Sequence, residues 1–155
     1  LGKDIVSMSD PGCPGESGPR APIVDLAHTK NINIHPMVGP SSILLALMGS
    51  GFSGQQFHFH GYLPKERRSR INSLKRFEAD TRKSGITHLF MDTPFRIMNV
   101  LDDLINELAD PTMLCIASNL TVASQDIRSK NVKDWRESAY DLSKKPAIFA
   151  IGTSE

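Results

Sequence analysis

The chain has 155 residues with 39% apolar and 23% charged side chains, a size that accommodates one sizeable core or two small ones. No run approaches the roughly 20 apolar residues of a bilayer span and no charged-then-apolar leader opens it, so a soluble, non-membrane protein of the cytoplasm is expected. Cys13 and Cys115 are the only cysteines and have no Cys-x-x-Cys or Cys/His spacing, which speaks against a disulfide framework and against a zinc site. The net charge of +1 conceals segregation. Leu63 to Gly85 holds eight basic and three acidic residues, whereas Asp92 to Asp110 holds five acidic residues and Arg96 as its one base, an asymmetry that suits either a surface meeting an anion or solvated helix faces.

In chain order, the pattern predicts a strand over 4–8, a helix over 20–30 with Ile23, Val24, Leu26 and Ala27 on one side, a strand over 32–36 and a helix over 40–48. Pro40 at the first turn of that helix and Gly49 and Gly51 beyond it frame its ends. Two successive βα units imply a parallel sheet, and because such a strand needs neighbours on both edges, the chain reads as part of a longer protein that begins inside a first domain. The Gly49 to Gly54 stretch is a natural linker.

Beyond it, the alternation of Phe57, Phe59 and Gly61 with His58 and His60 predicts a strand over 56–62. A helix over 66–82 turns Ile71, Leu74 and Phe77 inward and Arg67, Arg68, Arg70 and Lys75 largely outward. A buried strand over 86–91 follows, then a helix with Thr93 as N-cap, Pro94 at its first position and Ile97, Leu101, Leu104, Ile105 and Leu108 at helical spacing. Strands over 112–117, 123–127 and 147–151 and a helix over 132–142 complete the pattern. The expected organisation is the end of a parallel α/β first domain over 1–52 and a mixed-sheet α/β second domain over 53–155.

Several groups of residues are chemically suggestive. Asp10-Pro11-Gly12-Cys13-Pro14-Gly15 ends a predicted strand, where open α/β sheets bind ligands and glycine permits close approach of the backbone, although an ordinary strand-to-helix turn has the same composition. Gly39-Pro40-Ser41-Ser42 offers hydroxyls and free amides at a helix start, for a ligand or simply for capping. His58 and His60 share a strand face but show no third ligand, and His28, His35 and His88 show no grouping, so no metal site is expected. Asp102 and Asp103 read as the solvated side of their helix. The run Lys65-Glu66-Arg67-Arg68-Ser69-Arg70 suits phosphate contact or a solvated face, and Tyr62 beside it is placed to stack on a base.

The paired loops at 4–15 and 38–42 resemble those of the tetrapyrrole methylase superfamily of S-adenosylmethionine-dependent methyltransferases. Gly61-Tyr62-Leu63-Pro64-Lys65 with Arg67-Arg68, the stretch Leu89-Phe90-Met91-Asp92-Thr93-Pro94-Phe95-Arg96, and Leu120-Thr121 are similar to the branch that methylates a ribose 2′-hydroxyl (cytidine-2′-O) of small-subunit ribosomal RNA. The resemblance implies a tetrapyrrole methylase-like fold with the cofactor in the cleft between domains. It implies cofactor contacts from Met8, Ser9, Asp10, Cys13, Ser41, Ser42, Asp92 and Leu120, RNA contacts from Lys65, Arg67, Arg68, Arg70 and Arg96, and leaves a homodimer open. Asp92 is alternatively the group that orients or deprotonates the ribose hydroxyl. The branch usually has Glu and Lys where this chain has Asn119 and Val122, and Thr121 with Gln125 is instead similar to the Thr-to-Gln spacing of tetrapyrrole-modifying enzymes. Two alternatives therefore stand beside the RNA methyltransferase: a tetrapyrrole (corrin or porphyrin) methyltransferase, and a non-catalytic nucleotide- or partner-binding module on the same fold.

Overall fold

The computed structural model describes residues 2–9, 13 and 21–154. They fall into two compact units that divide between Ser42 and Ile43.

In the first unit the one regular element among the described residues is α1 (Ala21–Thr29). Residues 4–8 and 32–36 are not strands. Ile5, Val6 and Met8 stand 75–87% exposed, and two short segments without further strands bury too little to hold a sheet. Ile23, Val24 and Leu26 of α1 are likewise exposed. Cys13 is tied locally: its Sγ donates to the Pro40 carbonyl at 3.3 Å, and it lies against Gly39, whose Cβ position is 3.6 Å from the sulfur. Cys13 thus meets Gly39 and Pro40, while Asp10, Pro11, Gly12, Pro14 and Gly15 lie outside the described residues.

The second unit is built on a mixed sheet in the order β1 (Phe57–Tyr62), β2 (Thr87–Met91), β5 (Ala147–Gly152), β3 (Met113–Ser118), β4 (Asp126–Asn131). β1 and β2 are parallel, and the remaining pairs are antiparallel. On one face lie α3 (Arg67–Ser84), α4 (Ile97–Glu107) and α5 (Val132–Arg136), closing a core around Leu74, Phe77, Phe90, Leu104, Ile116, Trp135 and Phe149. On the other, Ile43, Ala46 and Leu47 of α2 (Ser42–Ser50) pack with Leu89, Cys115, Ala117, Ile148 and Ala150. The strand alternation explains both layers, since Phe90 and Phe149 face α3 while their neighbours Leu89 and Ala150 face α2.

Sequence signals account for most boundaries. α3 starts where the Glu66 carboxylate accepts from the Arg68 and Ser69 amides and stops at Gly85, whose φ of 75° is the left-handed conformation a side chain disfavours. The helix expected from Thr93 begins instead at Ile97. Asp92 accepts from the Thr93 amide at 2.6 Å, and the Arg96 amide bonds the Thr93 carbonyl, so Thr93 to Arg96 form a turn before the helix can start. α5 ends at Arg136 rather than near 142, and the following chain returns Tyr140 to Asp126, a 2.7 Å hydrogen bond that a continued helix would not supply. β4 runs over 126–131 rather than 123–127, because the Val122 and Gln125 amides bond the Asn119 and Val122 carbonyls in turns before pairing resumes.

Two charged positions expected on the solvent side are internal. Arg70 and Asp103 are 5% and 2% exposed. Arg70 lies four residues before Leu74 and seven before Phe77, on the stripe that faces α4, and its guanidinium reaches Asp103 Oδ2 at 2.7–2.8 Å. Arg67 binds the second oxygen of that carboxylate at 3.0 Å, so Asp103 sits between two cations.

Candidate functional site

The sheet topology gathers the expected second-unit residues at one end. Tyr62 is opposite Met91, Met91 and Ala117 are both opposite Ile148, and Ser118 is opposite Ala147 and Asp126. The ends of β1, β2 and β3 and the starts of β4 and β5 therefore share one rim. Leu63 and Lys65, Asp92 and Arg96, and Asn119, Leu120 and Thr121 all belong to it. Open α/β sheets place ligands at such strand ends.

Asp92 is the centre of this rim. Its side chain is buried, Oδ1 accepts from the Thr93 amide and pairs with Arg96 Nη2 at 2.7 Å, and Arg96 Nη2 also donates to the Leu63 carbonyl at 3.3 Å. Asp92 Oδ2 and Arg96 Nη1 are buried and have no hydrogen-bond partner. Buried polar atoms are ordinarily satisfied, so an acceptor and a donor left over on a paired Asp and Arg at a strand end fit a polar ligand group. Leu120, half-buried, packs against the α2-side core. It lies between Asn119 (φ 49°) and Thr121 (φ 70°). Asparagine tolerates the left-handed region, but a β-branched residue there is strained, and such strain collects at functional turns. The strain is held by the Gln125 amide oxygen, which accepts from the Thr121 amide at 2.9 Å. The Thr-to-Gln spacing noted in the sequence is thus a hydrogen bond that fixes the turn.

Of the other expected contacts, Lys65, Arg67 and Arg68 are exposed, whereas Arg70 is turned inward to Asp103. Arg67 is itself engaged by Asp103 and Glu107, and Arg96 by Asp92. Tyr62 is 60% exposed. In the first unit Met8, Ser9 and Ser42 are exposed, Ser41 is buried and Cys13 half-buried, while Asp10 lies outside the described residues.

The sequence reading missed one grouping. His58 is the register partner of His88, and with His60 the three rings gather on the α3 side of the sheet. Burial lowers the His60 pKa to about 4, assisted by repulsion from His88, His58 and Arg76. Burial likewise lowers that of His88, against the opposing pull of Asp80. These two imidazoles are accordingly neutral at physiological pH. Only the parallel pairing of β1 with β2 brings His88 to the pair, and no spacing within one segment signals it.

No protein-family model matches the chain. It is similar to a protein named ribosomal RNA small subunit methyltransferase I from Buchnera aphidicola subsp. Schizaphis graminum, with 32% identity over 97% of this chain and 52% of the relative. A protein of the same name from Thermotoga maritima is 32% identical over 81% of this chain and 54% of its own. The chain resembles the tetrapyrrole methylase superfamily and, within it, the ribosomal RNA branch. It spans about half the length of the curated relatives it matches. Among solved structures the methyltransferase CobJ superposes with a TM-score of 0.56 at 16% identity, covering 92% of this chain and 62% of CobJ. That likeness shows the fold, a tetrapyrrole methylase-like α/β arrangement. No helix among the described residues is long and apolar enough to cross a membrane.

Proposed function

We propose that the protein carrying this chain is an S-adenosylmethionine-dependent methyltransferase acting on a ribose 2′-hydroxyl of small-subunit ribosomal RNA. The observation that carries the reading is the buried, unpartnered Oδ2 of Asp92 on the rim that also holds Leu120, in a chain whose curated relatives bear the name ribosomal RNA small subunit methyltransferase I. The orphaned acceptor fits a ligand that donates an N–H or O–H, as the amine and hydroxyls of S-adenosylmethionine do. When bound, that cofactor supplies a methyl group on an already activated sulfonium. The protein then has mainly to align an acceptor with it, and alignment alone lowers barriers by about 7–11 kcal/mol.

The residues divide that work. Arg96 pairs with one oxygen of Asp92 and the other has no hydrogen-bond partner, so the carboxylate is positioned before anything binds. Met8, Ser9, Asp10, Cys13, Ser41 and Ser42 are the contacts expected from the first unit, where Cys13 donates to the carbonyl of Pro40 next to Ser41. Lys65, Arg67 and Arg68 supply exposed charge for phosphates, and Tyr62 an exposed ring for a base. Arg70 belongs to the scaffold that holds the basic helix.

The test is transfer of labelled methyl from S-adenosylmethionine to small-subunit ribosomal RNA by the intact protein, with cofactor affinity measured by calorimetry. Asp92→Asn should weaken cofactor binding about tenfold to a hundredfold, the 1–3 kcal/mol of a lost charged hydrogen bond. Transfer to a porphyrinoid instead of RNA would establish the tetrapyrrole reading. Absence of cofactor binding by the wild type would leave the non-catalytic module.

A further inference from the structure

The histidine cluster lies away from the Asp92 rim. His58 and His88 are the second residues of their strands, and Asp92 is four residues beyond His88, about 13 Å along an extended chain. One nitrogen from each of His58, His60 and His88 lies within 4.8 Å of the other two, and His60 Nε2 faces His88 Nδ1 at 2.8 Å. The opposite nitrogen of His88, Nε2, is 2.9 Å from Asp80 Oδ2, an ion-pair distance without hydrogen-bond alignment. Phe77 floors the cluster, stacked 3.9 Å from His60 and nearly parallel to His88 at 5.1 Å.

We propose that His58, His60 and His88 form a binding site for a divalent transition-metal ion of the zinc class, with Asp80 holding His88 from outside the coordination shell. Three imidazoles select zinc, copper, nickel or cobalt over magnesium and calcium, which require oxygen ligands. Asp80 lies at the distance of a carboxylate–histidine–metal arrangement, and a small rotation of the His88 ring would align Nε2–H with it and leave Nδ1 free to bind. In the metal-free protein one of the facing nitrogens of His60 and His88 must carry the proton between them. The ion takes that proton's place, and the proton passes to His60 Nδ1 or to solvent.

Tetrahedral zinc with bonds of 2.0–2.1 Å separates its ligands by roughly 3.3 Å. The 2.8 Å pair therefore opens slightly and the more distant ring closes in, a movement open to His58 because it is exposed on the edge strand. Arg76 and Lys83 line the same hollow, and their charge opposes any cation, so the imidazole bonds have to outweigh that repulsion. A fourth position remains for water. The site would tie β1 to β2 and α3, a structural role separate from the proposed chemistry at the opposite strand ends.

The test is titration of the intact, chelator-stripped protein with cobalt(II), followed by its visible absorption, and with zinc by calorimetry. The wild type should bind one ion more than His58→Ala or His60→Gln, and excess zinc should raise the melting temperature of the wild type but not of His58→Ala. Asp80→Asn should retain the ion with about tenfold to hundredfold weaker affinity, and magnesium should produce no binding. His58 is exposed, so its alanine variant folds and remains a fair comparison. Equal zinc uptake by wild type and His58→Ala would overturn the site. Unchanged affinity in Asp80→Asn would overturn the positioning role.

Discussion

Arg70 and Asp103 meet 2.7 Å apart inside the α3–α4 interface, both less than a tenth exposed, and the same carboxylate also binds the exposed Arg67. Removing one member of a buried pair leaves the other charge unpaired, which costs about 3–5 kcal/mol, whereas an exposed pair is worth about 0–1 kcal/mol. Asp103→Ala and Arg70→Ala should therefore lose several kcal/mol in urea unfolding, and Arg67→Ala little. Comparable losses in all three would show that the inner pair carries no special weight.

A second stability prediction concerns Gly152. A Cβ there would lie 2.5–2.8 Å from three atoms of Phe52, which bridges to Ser154 beside it. Overpacking of this kind costs about 1–3 kcal/mol. Gly152→Ala should fall in that range by chemical denaturation, and adding Phe52→Ala should make the double variant less destabilised than the sum of the two singles. Strict additivity would place the cost elsewhere.

The legible parts of this fold are those set by one segment at a time. The periodicity of Ile97, Leu101 and Leu104, and the apolar runs of β2, β3 and β5, give element type and buried face directly. Residues 4–8 and 32–36 have the composition of strands, but pairing partners decide strand formation and the described residues provide none. Arg70 was within reach, since it shares the heptad-like stripe of Leu74 and Phe77, as Asp103 shares that of Val100 and Leu104. At both positions the place on the helix outweighs the charge, because each side chain finds its opposite charge inside the α3–α4 interface. The Asp92 and Leu120 assignments came from motif likeness, and the shared rim they occupy is a product of strand order. His88 was beyond reach because its grouping depends on which strand lies beside β1.

The pH dependence should show at Asp126. Burial pulls its carboxyl up, but hydrogen bonds from Tyr140 and Arg128 outweigh it and hold the group below the ordinary aspartate range. A carboxylate with a depressed folded-state pKa contributes stability above its unfolded value, near 3.9, and loses it as pH falls through the folded value. Tyr140→Phe should thus cost about 1 kcal/mol at pH 7, with the partial exposure of Asp126 keeping the effect small. The gap to wild type should narrow below about pH 4. A gap constant from pH 7 to pH 3 in urea unfolding would separate Tyr140 from the Asp126 titration.

The last prediction uses the division of labour within the basic helix. If Lys65 and Arg68 face RNA phosphates, binding of small-subunit ribosomal RNA to the intact protein should weaken steeply with salt, with a log–log slope near 0.7 per neutralised phosphate for single strands. Arg68→Ala, at an exposed position, should flatten that slope by about 0.7. Arg70→Ala should leave the slope unchanged under conditions where the variant is folded, because its guanidinium is already committed to Asp103. A tetrapyrrole presents few charges, so its binding would show no such dependence. Filter binding between low and physiological salt reads all three proteins. Equal flattening by the two arginine variants would mean that Arg70 leaves Asp103 for RNA, and a wild-type slope near zero would remove RNA as the acceptor.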